Sequence, residues 1–156
     1  MIIKSIKHFK HSKYRDKKIL AIDFGEKKLG FAHSDFGQVI ATPLKTYYRK
    51  DLEFDLVSIR NILISLSADV ILLGLPLSPE GTYLQSAQKV KSFANILNDN
   101  LDVDIFFWDE RFSTKQAQKI LQESGMSGKE ADQKDDMIAA SIILNSFLEY
   151  SRADKE

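Results

Sequence analysis

The chain has 156 residues, 44% of them hydrophobic and 28% charged, with zero net charge, which is the make-up of about one globular domain with a true core. It has no cysteine, which excludes disulfides and thiolate metal sites, and only three histidines, His8, His11 and His33, which argues against a histidine-built zinc site. Any metal is therefore expected to be hard and oxygen-ligated, and the lack of a signal-peptide centre or of roughly 20 consecutive apolar residues makes a cytoplasmic protein the expectation.

Residues 1–17 read as a basic, flexible N-terminal extension. Residues 1–18 hold seven Lys/Arg against the single acid Asp16, while the remainder holds fifteen against twenty-one. A basic arm on an acidic body steers toward a polyanion and leaves room for a metal-binding centre; a merely solvated start is the plainer alternative.

Residues 18–24 form a continuous apolar run, as a strand buried on both faces would. Gly25-Glu26-Lys27-Lys28 then reads as a tight turn, and Leu29, Phe31 and His33 alternate with smaller residues, which predicts a hairpin. A third strand fits residues 38–48, with Pro43 pointing to an edge or a bulge. Asp51 is a plausible cap for a helix carrying Leu52, Leu56, Ile59, Leu63 and Leu66 on one face. Val70 to Leu75 is a short buried strand, residues 77–82 are loop chemistry, and Leu84, Ala87, Val90, Ala94 and Leu97 mark a second helix. Val103 to Trp108 makes a fifth strand.

Ser113-Thr114-Lys115-Gln116 matches a capping box, so a helix is expected from Ser113 to about Gln122. Ser124 to Lys134 reads as a flexible loop, a last helix spans roughly Asp135 to Tyr150, and residues 151–156 are a tail. A hairpin meander followed by β-α-β units implies an α/β domain over residues 18–150, built on a mixed five-stranded sheet with helices on its faces. Sites in such sheets collect at the carboxyl ends of the strands.

Three acids are attached to the most apolar stretches. Asp23 closes Ile19 to Ile22, Glu110 follows Ile105 to Trp108 and Asp109, and Asp136 opens the run from Met137 to Leu144. Burying a carboxylate is costly unless it is paired, hydrogen-bonded or metal-bound, so three of them on core elements suggest one shared cation site. A backbone-satisfied buried acid is the alternative for Asp23, and a helix-dipole contact of about 0.3–1 kcal/mol is the alternative for Asp135 or Asp136. Asp109 and Glu110 are neighbours and would face opposite sides of a strand, so only one can face the site.

Asp23-Phe24-Gly25-Glu26-Lys27-Lys28-Leu29-Gly30, Gly74-Leu75-Pro76-Leu77 with Gly81, Asp109-Glu110-Arg111-Phe112-Ser113-Thr114, and Asp136 followed by Ala139-Ala140 and Ile142-Ile143-Leu144 together resemble the YqgF (RuvX-like) family. The resemblance spans about residues 18–150. It implies a ribonuclease H-like fold related to Holliday junction resolvases, and a bacterial protein proposed to mature the 5′ end of the 16S ribosomal RNA precursor. By motif, Asp23, Glu110 and Asp136 match the family's acids that bind divalent metal, Mg²⁺ or Mn²⁺. Gln116 stands where Glu is common and Lys28 where Arg is common.

Phosphodiester hydrolysis suits such a set, because two ions about 3.5–4 Å apart can activate water, stabilise the leaving oxygen and neutralise added charge. Gly25, Lys27 and Lys28 at the hairpin tip, and Arg111 and Thr114 at the expected helix start, are candidate nucleic-acid contacts; ordinary turn and surface roles are the alternative. The expectation is a metal-dependent endonuclease acting on precursor ribosomal RNA, free or in ribosomal precursor particles, as a monomer or homodimer. A DNA junction resolvase, a non-catalytic RNA- or transcription-complex-binding protein, and nucleotide binding at the hairpin loop are the other readings.

Overall fold

The apolar run after Lys18 sorts its side chains onto two faces, and a separate core grows on each. The structure, a computed structural model, describes residues 2, 3, 9, 14–78, 80, 84–112 and 128–153. Its strands are β1 (Ile2–Ile3), β2 (Lys18–Phe24), β3 (Lys28–Ser34), β4 (Ala41–Tyr48), β5 (Ala68–Leu75) and β6 (Asp104–Asp109), and its helices are α1 (Leu52–Leu66), α2 (Gln85–Asn100) and α3 (Gly128–Ala153). They form one sheet in the order β1-β6-β5-β2-β3-β4. The β2–β3–β4 meander is antiparallel, whereas β2–β5, β5–β6 and β1–β6 pair in parallel.

On β2, Leu20 and Ile22 join the core under α1 and α2, and Ile19 and Ala21 join the core under α3. All four are fully buried, each contributing about 1.5–3 kcal/mol if apolar and large. The same alternation puts Ile71 and Leu73 of β5 on the α1/α2 side and Val70 and Leu72 on the α3 side. α1 begins at the expected cap: the Asp51 carboxylate accepts from the Phe54 N–H at 2.8 Å.

The five expected strands and their mixed pairing are present, and the differences have local causes. β4 starts at Ala41 because Asp35 folds residues 35–40 into a turn, its Oδ1 accepting from the N–H groups of Val39 and Ile40 at 2.8 and 2.9 Å. Pro43 lies on the edge strand, beside a register shift where Ala32 aligns with Pro43 after Phe31 aligns with Lys45.

The sixth strand comes from the segment expected to be a flexible extension. Ile2 and Ile3 align with Ile105 and Phe106, and the rings of Phe9 and Tyr14 are buried against Phe106. The Tyr14 hydroxyl donates to Asp104 at 2.9 Å, and the buried Gln38 amide donates to the carbonyls of Tyr14 and Lys17, both at 2.8 Å. Apolar residues among the lysines thus tie the arm down at these positions.

α3 is longer than expected. Its backbone is helical from Gly128, so residues 128–134, expected as loop, belong to the helix; Lys129, Glu130, Ala131 and Gln133 are good helix formers, which outweighed the loop reading. The helix expected from Ser113 to Gln122 lies outside the described residues.

Candidate active site

β3, β2 and β5 bring a row of three residues to one level of the sheet. Asp23 aligns with Gly30 of β3, and Ile22 aligns with Leu73 of β5, so Gly74 comes next on the other side. By the alternation along each strand, Gly30, Asp23 and Gly74 turn toward the α3 face. A Cβ on Gly30 would stand 1.9 Å from the Asp136 carbonyl oxygen, and one on Gly74 would stand 2.4 Å from Glu110 Oε1 and 2.7 Å from Ile143 Cδ1. The two glycines therefore seat the helix backbone at Asp136 and the Glu110 carboxylate on either side of Asp23.

The helix spacing fits that seating. From Asp136 to Ile143 the rise is roughly 10 Å, and two strand spacings, β3 to β5, span roughly 10 Å. α3 thus crosses the central strand above Asp23. Asp136 lies about two turns in from Gly128, beyond the first turn where the helix dipole rewards an acid. The capping explanation for Asp136 is thereby removed.

Glu110 opens a single 3₁₀ turn, Glu110–Phe112, directly after β6. Its carboxyl shares a hydrogen bond with Asp23; burial pushes it above the usual carboxylate range, that bond pulls it down, and the Asp109 charge adds to the rise. Asp109 turns the other way. Burial raises its carboxyl, yet the Arg111 side chain and backbone N–H outweigh this and hold it below the usual range. Arg111 Nε lies 3.0 and 2.9 Å from the Asp109 oxygens, Nη2 2.5 Å from Oδ2, and the Arg111 N–H 3.0 Å from Oδ1.

Asp136 is charge-paired with Lys28, whose Nζ lies 3.4 Å from Oδ2, and that buried oxygen accepts no hydrogen bond from the described residues. Among the described residues no three His, Asp or Glu side chains gather closely enough to hold one ion. The arrangement is two plus one: Asp23 with Glu110, and Asp136 with Lys28. An all-oxygen donor set containing a hydrogen-bonded carboxyl pair and a buried carboxylate oxygen with an ion pair but no described hydrogen bond suits a hard divalent cation.

A cleft of about 330 Å³ opens beside the pair, lined by Asp23, Glu110, the turn from Phe24 to Glu26, Pro76, and Ser86, Lys89 and Val90 of α2. Gly25 is needed in that turn, since a Cβ there would meet the Lys28 carbonyl oxygen at 2.6 Å. Lys27 is exposed at the tip, Lys28 is drawn to Asp136, and Arg111 is held by Asp109. Thr114, like Gly81, lies outside the described residues.

Sequence reasoning missed two features here. Lys89 forms an ion pair with Glu26 across the cleft. Arg49 reaches back to the same turn, donating through Nη1 to the Gly25 carbonyl at 3.2 Å and through Nε to the fully buried Asp55 at 3.0 Å. Its guanidinium lies 5.2 and 5.3 Å from the ring centres of Phe24 and Phe93. The alternation Tyr47, Arg49 on a strand end followed by Asp55 in a first helical turn was the available signal.

A family model described as RuvX, Holliday junction resolvase, matches residues 17–150. A protein of Ehrlichia ruminantium (strain Welgevonden) named "Putative pre-16S rRNA nuclease" is 38% identical over 149 residues, covering 96% of each chain. One of the same name from Orientia tsutsugamushi (strain Ikeda) is 37% identical over 155 residues, 99% of this chain and 98% of its own. Among solved structures, T. thermophilus RuvC in complex with Holliday junction substrate superposes with a TM-score of 0.61 at 15% identity, over 88% of this chain and 96% of its own. The Fowlpox virus resolvase bound to Holliday junction DNA superposes with a TM-score of 0.50 at 14% identity, over 87% and 97%. At these identities the likeness speaks for the fold, which is ribonuclease H-like as the resemblance implied.

Proposed function

The chain belongs to the RuvX family, and from that premise we propose that it is a metal-dependent nuclease that hydrolyses phosphodiesters in the 5′-end maturation of precursor 16S ribosomal RNA. The names of its relatives suggest the substrate. The observation that carries the chemistry is the contact between Asp23 and Glu110. Two carboxyl groups sharing a hydrogen bond in a partly buried cleft repel once both ionise, so one keeps a proton or a cation takes its place. Burial, with the Asp109 charge adding to it, raises the affinity of Glu110 for a proton, so ionising this pair together calls for a compensating positive charge.

Asp23, Glu110 and Asp136 are the residues that would hold Mg²⁺ or Mn²⁺. Bound there, such ions supply Lewis-acid polarisation of a phosphate oxygen and a water of lowered pKa, and as a pair they neutralise charge on the attacking and leaving oxygens. Asp23 is positioned for this by the rigid central strand, and Glu110 by the turn that follows β6. The helix backbone at Asp136 packs on the bare backbone of Gly30, from where Asp136 would act. Lys27 and Lys28 at the β2–β3 turn and Arg111 after β6 are the candidate phosphate contacts, Lys28 and Arg111 by exchanging their present partners Asp136 and Asp109. Such a nuclease works in the cytoplasm on precursor RNA or ribosomal precursor particles; no described helix is long and apolar enough to cross a membrane.

A second reading, cleavage of four-way DNA junctions, is favoured by the description of the family model. Matched 5′-extended 16S precursor RNA and four-way DNA junctions, offered to the wild type and to Asp23→Asn with Mg²⁺, separate the two. Metal-dependent cutting of the precursor at its 5′ side, lost in Asp23→Asn, is the expected result. Cutting of junctions alone would replace the substrate, and undiminished cutting by Asp23→Asn would overturn the site.

A further inference from the structure

Two exposed side chains of opposite sign meet across the mouth of the cleft. Lys89, in the second turn of α2, directs its ammonium to Glu26 Oε1 on the turn between β2 and β3. The side chains are 48% and 65% exposed, and an ion pair so open to water adds little to stability and exchanges partners readily. The hydrogen bond and the charge of Lys89 hold the Glu26 carboxyl below its usual range.

The place of this pair is unusual. The cleft beside Asp23 and Glu110 has a neighbour of about 470 Å³, bordered by Arg49, Gln88, Ser92 and Phe93, and both depressions are lined by Phe24, Glu26 and Lys89. Glu26 and Lys89 therefore stand on the divide between them. Among the described residues lining the first cleft, Lys89 is the one cation, against the acids Asp23, Glu26 and Glu110. In the second, the Arg49 charge is committed to Asp55 and to the rings of Phe24 and Phe93. Lys89 is the cation whose present partner is a weakly held surface carboxylate, and its flexible stem lets it turn to another anion.

We propose that Glu26 and Lys89 form an electrostatic latch: a nucleic-acid strand enters by replacing the Glu26 carboxylate with one of its backbone phosphates on Lys89, and opening the pair joins the two depressions into one groove leading to Asp23 and Glu110. The proposal rests on the nuclease reading and adds to it a phosphate-binding residue and a competitor built into the protein. Glu26 occupies Lys89 while no substrate is present, keeping an unpaired ammonium away from the acids of the cleft. A phosphodiester offers the same charge-assisted contact with more oxygens to choose from.

Binding of a fluorescein-labelled single-stranded RNA, measured by fluorescence anisotropy in EDTA over a range of salt, tests this without cleavage. Lys89→Ala is expected to weaken binding about tenfold, the scale of one charge-assisted contact, and to lower the slope of log K against log salt by about 0.7–0.9. Lys89→Arg should restore most of both. Glu26→Gln is expected to tighten binding about threefold, since the closed pair no longer taxes the competent state.

The decisive arm is the double variant Glu26→Gln/Lys89→Ala, which should bind like Lys89→Ala alone. An equal gain from Glu26→Gln in both backgrounds would be a general charge effect and would overturn the latch. So would an unchanged slope and affinity in Lys89→Ala. If the wild type binds no RNA at any salt in EDTA, or binds and Lys89→Ala binds equally, the latch falls; the nuclease reading stands or falls separately, on metal-dependent cleavage by the wild type.

Discussion

The Asp136 carbonyl oxygen stands 1.9 Å from where a Cβ on Gly30 would be, so the last helix rests on the bare backbone of the residue paired with Asp23. Gly30→Ala cannot be relieved by a side-chain movement, because the atom in the way is backbone. The helix must lift from β3. A cost of about 3 kcal/mol, the upper end for overpacking, and a fall in Tm of roughly 6–12 °C are expected, with cleavage lost. Gly74→Ala makes the contrast: its Cβ would meet the ends of Glu110 and Ile143. Stability should change less than in Gly30→Ala while cleavage falls sharply as Glu110 is displaced. Thermal melts and cleavage assays on the two variants check the difference.

Glu110 predicts an unusual pH dependence. Its folded pKa is raised, so the folded state binds its proton more tightly than the unfolded chain. The sign of the linkage follows: the favourable contribution is complete below the ordinary glutamate value of about 4.3 and is lost as pH rises through the folded value. Glu110→Gln keeps the hydrogen-bonding shape without the charge. In metal-free buffer it should be more stable than the wild type at neutral pH, with the gap closing as pH falls toward about 4. Urea denaturation at several pH values measures it.

Cation binding itself gives a readout independent of cutting. A ligand that binds the folded state alone stabilises by RT ln(1 + [L]/Kd), about 2.7 kcal/mol at a hundredfold excess over Kd. Mg²⁺ or Mn²⁺ should raise the Tm of the wild type and leave that of Asp23→Asn nearly unmoved. Asp23→Asn, Glu110→Gln and Asp136→Asn should each lower cleavage by more than about a hundredfold, since even supporting residues of metal sites cost 10–100-fold.

Asp55 carries no catalytic expectation but a large structural one. It is fully buried and accepts from the Tyr47 hydroxyl, Arg49 Nε and the Lys50 N–H at 2.8, 3.0 and 2.9 Å. Asp55→Ala strands Arg49 and should cost about 3–5 kcal/mol in urea denaturation, the range for breaking a buried pair. Because Arg49 also holds the Gly25 carbonyl, amide exchange at the β2–β3 turn should quicken in the same variant.

Charge in the N-terminal arm is testable apart from its packing. Removing residues 1–16 would delete Phe9 and Tyr14, which are core residues, and would confuse unfolding with lost steering. Replacing Lys4, Lys7, Lys10 and Lys13 with Gln removes four charges and keeps Phe9 and Tyr14. If the arm steers nucleic acid, the salt slope of RNA binding falls by roughly 0.7–0.9 for each lysine that contacts phosphate; an unchanged slope leaves the arm a packing element alone.

Short continuous apolar runs made β2, β5 and β6 legible, because a strand covered on both faces is apolar throughout, and the alternation of Leu29, Phe31 and His33 made β3 legible. The acids were legible for a related reason: a charge fused to such a run needs a partner. What escaped notice was decided by contacts between distant segments. Glu26 and Lys89 each look like ordinary surface charges, and their meeting depends on how α2 lies beside the hairpin. Ile2 and Ile3 are too short a pair to announce a strand until β6 offers an edge. Gly128 and the charges after it resemble a loop because local composition does not register the sheet on which α3 docks.

The crossing of α3 over the central strand also sets an order of events during synthesis. Gly30 and Asp136 are separated by most of the chain, and a ribosome that has released β2 through β6 has made Asp23 and Glu110 but no helix to bring Asp136 to them. Until that final segment docks, the nascent protein exposes the apolar α3 side of its sheet and lacks its third carboxylate. On the proposed reading, competence to cut therefore arrives in the same late, long-range step that closes the second core.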